Sequence, residues 1–105
     1  TVRYLDLHPA LDVVLVCSGT SGEDRACAEY MAELLRGRRG DADRLRAGIA
    51  DGAVHHEDAW RTQNGEEGVR GFHGDLAVCE QVDVHDLALV GARQPEGVVL
   101  VARRV

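Results

Sequence analysis

A chain of 105 residues supports a modest hydrophobic core, and 45% hydrophobic with 29% charged residues is a globular composition, not a disordered one. The formal net charge is −6, which excludes nucleic acid and anionic membrane surfaces from the expected partners. No apolar run reaches the ~18 residues of a membrane span and no secretory leader pattern is legible, so the expectation is a cytoplasmic protein. All twelve basic residues are arginine, a coding bias of a GC-rich genome. Aromatic residues are Tyr4, Tyr30, Trp60 and Phe72, only 4% of the chain, which leaves the core to Val, Leu and Ala.

The first element expected is a strand. Asp12-Val13-Val14-Leu15-Val16-Cys17 is an almost unbroken apolar run of the kind that strands buried on both faces carry. Ser18-Gly19-Thr20-Ser21-Gly22 then turns the chain into a helix, with Ser21 as N-cap and Glu23 and Asp24 in the first turn, where acids suit the helix dipole. Cys27, Tyr30, Met31, Leu34 and Leu35 recur at helical period, and Gly37 and Gly40 stop the helix. Asp41 or Asp43 starts a second helix through Leu45 and Ile49 that ends at Gly52. Glu57 to Gln63 reads as helix and Asn64-Gly65 as a turn or helix stop. Gly74 to Gln81 is a short helix with Leu76, Cys79 and Val82 inward. Leu87–Val90 and Val98–Val101 are apolar strands joined at Gln94-Pro95-Glu96-Gly97, an antiparallel hairpin. The expected fold is a single α/β domain over residues 1–105: a layered mixed β-sheet flanked by helices, ending in that hairpin.

A glycine-rich turn between a buried strand and a helix is a place where free backbone N–H groups hold anions. Three specific versions fail here. Gly22 is followed by Glu23-Asp24 where a nucleotide-phosphate loop needs Lys-Ser/Thr; Gly19 and Gly22 give only GxxG; and the position a cysteine phosphatase gives to arginine is Glu23. What remains is a set of hydroxyls and amides at Ser18, Gly19, Thr20 and Ser21 that could grip a phosphate or sulfonate. Of the vicinal acids, Glu23 or Asp24 could hold Mg²⁺ that bridges to it. A plain capped helix is the alternative reading of the same residues. Cys17, Cys27 and Cys79 contain no CxxC and read as reduced, largely buried thiols. His8, His55, His56, His73 and His85 lack metal-ligand spacing. Asp75, Asp83 and Asp86 flank the short helix as caps or as catalytic candidates.

Two stretches carry a family resemblance. Asp12-Val-Val-Leu-Val-Cys-Ser-Gly-Thr20 with Gly22-Glu-Asp24 and Ala26-Cys-Ala28 is one; Gly71-Phe-His-Gly-Asp-Leu-Ala-Val-Cys-Glu-Gln-Val-Asp83 is the other. In order and spacing, over roughly residues 12–91, they resemble the C-terminal part of 2-phosphosulfolactate phosphatases. That resemblance implies a Mg²⁺-dependent hydrolysis of a small acidic phosphate monoester, 2-phospho-3-sulfolactate, to 3-sulfolactate and phosphate, a step of coenzyme M biosynthesis. It also implies Glu23 and Asp24 in contact with the metal or its surroundings, Asp75 as the next catalytic candidate, and Ser18, Gly19, Thr20 and Ser21 at the anion. Family members have an N-terminal α/β half ahead of this segment, so the chain, opening at Thr1, is expected to be the second half of a longer phosphatase. The turn at residues 18–22 is shorter than the family's usual loop, and Ala28-Glu29 stands where many members have Ala-Gly. The competing expectation is a non-catalytic domain that completes a core, forms a homo-oligomer interface or binds a small anion.

Overall fold

The structure, a computed structural model, describes residues 1–19 and 22–105. Its elements are α1 (Val2–Asp6), α2 (Gly22–Leu35), α3 (Ala42–Cys79), β1 (Leu87–Gln94) and β2 (Gly97–Arg104). They belong to two compact units: Val14–Val82 holds α2 and α3, and Thr1–Val13 with Asp83–Val105 holds α1 and the strands.

In the helical unit, α2 ends in a left-handed glycine cap. Gly37 has φ 70°, the Arg38 N–H donates to Glu33 O at 3.0 Å and the Gly37 N–H to Leu34 O at 2.9 Å. These bonds satisfy carbonyls that the helix end would otherwise leave bare. Asp41 restarts the chain as a helix by accepting the Asp43 and Arg44 N–H groups at 3.1 and 3.0 Å, the N-cap expected from the sequence. α3 returns antiparallel to α2, with Gly52 against Glu23, Gly48 against Ala26, and Gly40 before it against the Tyr30 ring. A Cβ on Gly48 would collide with the Cβ of Ala26, so the absent side chain is what lets the helices approach this closely. Leu45, Ile49, Gly52 and Ala53 make the buried stripe of α3.

α3 continues through Gly52 and reverses at Gly65, whose φ 66° and ψ −172° lie outside the helical region. The Trp60 ring stacks on Phe72 with centroids 5.7 Å apart, and its Nε1–H donates to Gly68 O at 3.0 Å. His73 Nε2 lies 3.4 Å from Glu57 Oε2, groups that a straight helix would hold roughly 24 Å apart. Residues 42–64 and 66–79 are therefore two helical arms folded back on each other, with Val69 buried. Asn64-Gly65 is the turn its composition indicates. Gly52 is not the expected stop: its missing side chain serves the contact with Glu23 and leaves the helix unbroken.

In the second unit, β1 and β2 form a two-stranded antiparallel sheet in the register Gln94↔Gly97 to Leu87↔Arg104, four residues longer per strand than the apolar cores alone suggest. One face carries Ala88, Val90 and Val101, buried or half-buried, and the other carries Leu89, Val98 and Leu100, all exposed. The Val105 N–H returns to Asp86 O at 2.9 Å, and Arg3 of α1 pairs with Asp83.

The chain is thus a mixed α/β protein. The expected strand at Asp12–Cys17 is not formed: the run has no regular structure, and Val14 and Val16 are 81% and 82% exposed. A strand needs a neighbour to take its backbone groups, and the hairpin is the sole sheet among the described residues. The cysteines are free, as expected, but all three are exposed where largely buried thiols were expected. The packed face of α2 runs through Gly22, Ala26 and Tyr30, so Cys27 falls at its rim, while Cys79 closes α3 and Cys17 lies in the irregular run.

Candidate functional site

The start of α2 gathers most of the residues singled out from the sequence. Asp24, in the first turn of the helix, reaches back over the preceding turn, where its Oδ2 accepts the Gly19 N–H at 2.6 Å and the Ser18 hydroxyl at 3.2 Å. Two donors expected to grip an anion thus converge on a single negatively charged oxygen, and that oxygen belongs to the chain itself. Thr20 and Ser21, including the expected Ser21 cap, lie outside the described residues.

Glu23 takes a different direction. Successive helix residues are turned by about 100°, so vicinal acids cannot both face one point. The Glu23 side chain lies against Gly52 of α3, with Oε2 withdrawn from solvent and Oε1 3.9 Å from His56 Nε2. Asp51 follows the same contact: its Oδ2 lies 3.6 Å from the place a Cβ would take on Gly22. Asp75 is exposed on the arm of residues 66–79. Among the described residues, no three His, Cys, Asp or Glu side chains gather where they could share a metal ion.

Mg²⁺ keeps several waters and is commonly held by one or two carboxylates plus the phosphate of its substrate. An open attachment through Asp24 or Glu23 fits the residues present. An all-protein cage made of both acids does not.

Along the same helix pair runs a cleft of about 300 Å³, lined among others by Gly22, Arg25, Glu29, Tyr30, Arg44 and Asp51. Glu29 links its walls, receiving Arg25 Nε and Arg44 Nη2 at 2.8 Å each. The Arg25 hydrogen bond, followed by the Arg44 charge, holds the Glu29 carboxyl below its ordinary range. Glu29 thus ties α2 to α3 by charge through Arg44. Arg25 and Glu29 are a readable i,i+4 pair; Arg44, Asp51 and His56 give no sequence signal, because only the antiparallel return of α3 brings them there.

Cys27 sits on the flank of α2. Partial desolvation pushes its thiol up, and the nearby negative charge of Asp24, with lesser effects from Cys17 and Cys79, pushes in the same direction. A thiol so placed stays protonated at neutral pH, which is the opposite of an activated nucleophile.

No helix among the described residues is long and apolar enough to cross a membrane. No protein-family model, no curated protein and no solved structure matches the chain.

Proposed function

We propose that this chain is the C-terminal part of a cytoplasmic Mg²⁺-dependent phosphatase resembling 2-phosphosulfolactate phosphatase, acting on a small acidic phosphate monoester. The observation that carries the reading is the convergence of the Gly19 N–H and the Ser18 hydroxyl on one anionic oxygen at the start of α2. The same donors, with the N-terminal amides of the helix, are suited to an equatorial phosphate oxygen once Asp24 gives way. Phosphoryl transfer to water asks for positioning and charge neutralisation more than for covalent chemistry, which suits a site without an activated nucleophile. When bound, the metal supplies neutralisation of phosphate charge. Asp24 or Glu23 would provide the carboxylate that holds it, and His56 Nε2 lies 3.9 Å from Glu23 Oε1. Asp75 is proposed as a further acid of the site. The layered mixed sheet is proposed to be completed by an N-terminal half of the same protein, whose strands would give Asp12–Cys17 the ladder it lacks.

A second reading is a non-catalytic domain in which Asp24 is simply the cap of α2, and the occupied Gly19 N–H favours it. Phosphate release from 2-phospho-3-sulfolactate by the full product of the gene separates the two. The phosphatase reading predicts turnover with Mg²⁺ and its loss in EDTA; a protein that binds no substrate and releases no phosphate under either condition is the capped-helix domain.

A further inference from the structure

We infer that β2 is a self-pairing edge, and that two copies of this chain join through it into a four-stranded antiparallel sheet about a two-fold axis at Leu100. This inference rests on the hairpin alone and is independent of the proposed chemistry. A sheet of two strands is below the size that stands by itself in water, and this one leaves Leu89, Val98 and Leu100 62%, 69% and 69% exposed. Edges that must stay unpaired are usually blunted by charge, proline or a bulge. β1 is blunted, by Gly91 and Arg93, with Pro95 directly after it; β2 runs Val98-Val99-Leu100-Val101-Ala102 without interruption.

The ladder limits how two such edges can meet. A two-residue turn closing on Gln94↔Gly97, with hydrogen-bonded and open pairs alternating from there, turns the backbone groups of Val98, Leu100, Ala102 and Arg104 away from β1. Outward residues must meet outward residues, so a two-fold axis passes through a residue and never between two. On Leu100, the axis sets Val98 opposite Ala102, Arg103 opposite Gly97 and Arg104 opposite Glu96 of the other copy, giving two opposite-charge pairs at the ends of an apolar centre. On Val99 or Val101, Arg104 meets no acid of the other copy and keeps only Asp86 of its own chain, 3.2 Å away. On Ala102, the two Arg103 side chains become diagonal neighbours. Only the Leu100 register is complementary in both charge and apolar character. The same axis places the Leu100 side chains of both copies side by side, joining their exposed faces into one apolar surface.

Sedimentation of the whole chain across micromolar concentrations tests this, with circular dichroism confirming that each variant stays folded. The wild type is expected as a dimer, twice 11.4 kDa. Leu100→Lys, a change at an exposed position that sets like charges together on the axis, is expected to weaken dimerisation roughly tenfold or more. Glu96→Arg should also weaken it, and adding Arg104→Glu should restore it, as only a direct charge pair does. A wild type that remains monomeric, a dimer indifferent to Leu100→Lys, or a double reversal that fails to recover overturns the inference.

Discussion

At the level of single residues, the glycines divide by what a side chain would meet. Gly48 and Gly71 are both helical, yet a Cβ on Gly48 would strike Ala26 of α2, while one on Gly71 meets nothing within 4 Å. The same change should therefore act with opposite sign. Gly48→Ala is expected to destabilise the protein by about 1–3 kcal/mol through overpacking, and Gly71→Ala to stabilise it by roughly 0.5–1 kcal/mol through backbone entropy. Urea unfolding midpoints of the two variants check this; equal shifts would mean that α2 and α3 are not in close contact. Cys27 gives a pH-dependent counterpart. Because burial and the Asp24 charge raise its thiol, the pH profile of its alkylation should be displaced upward from that of a free model thiol. Iodoacetamide labelling followed residue by residue reads the profile, and a midpoint at or below the model thiol's contradicts the placement.

Among the elements, local signals were legible where the chain itself closes the structure. Asp41 caps its own helix, Asn64-Gly65 turns it, and Gln94–Gly97 closes the hairpin, all within a few residues of the groups they satisfy. Contacts between distant segments were not legible. The packed face of α2 runs through Gly22, Glu23, Ala26 and Tyr30. Of the expected stripe of Cys27, Tyr30, Met31, Leu34 and Leu35 only Tyr30 lies on it, because small and acidic residues leave little hydrophobic period to detect. Gly52 looked like a stop because glycine is weak in helices, and its use as a contact point depends on Glu23, which lies in the other helix. The apolar run at Asp12–Cys17 reads as strand from its side chains, but a strand is a paired object and nothing among the described residues pairs with it. The reversal of α3 carries its own prediction. Gly65 occupies a region at φ 66° and ψ −172° that is nearly closed to other residues, so Gly65→Ala should cost about 1–3 kcal/mol although a methyl there meets no atom. A loss of Trp60–Phe72 stacking, seen as a change in tryptophan emission, should accompany it. An unchanged midpoint would mean that the chain does not turn back at Gly65.

For the molecule as a whole, what the sequence conveyed was the mixture of helices and a terminal hairpin. It did not convey that Ser18 and Gly19 already donate to Asp24. The expected site was an amide-rich loop with Glu23 or Asp24 at a metal; the structure has Asp24 bound to Ser18 and Gly19, and Glu23 lodged against α3 beside His56. Vicinal position in the sequence concealed this, since neighbours on a helix point apart. Turnover of a phosphate ester at this site then requires Asp24 to exchange the Gly19 N–H for substrate phosphate, and requires one of the two acids to hold the metal. The most direct measurement is the Mg²⁺-dependent release of phosphate from 2-phospho-3-sulfolactate by the full gene product, compared with its Glu23→Ala and Asp24→Ala variants. The proposed site predicts a wild-type rate abolished by EDTA and a fall of roughly a hundredfold or more in at least one variant. Two variants that both retain the wild-type Mg²⁺-dependent rate would place the chemistry elsewhere.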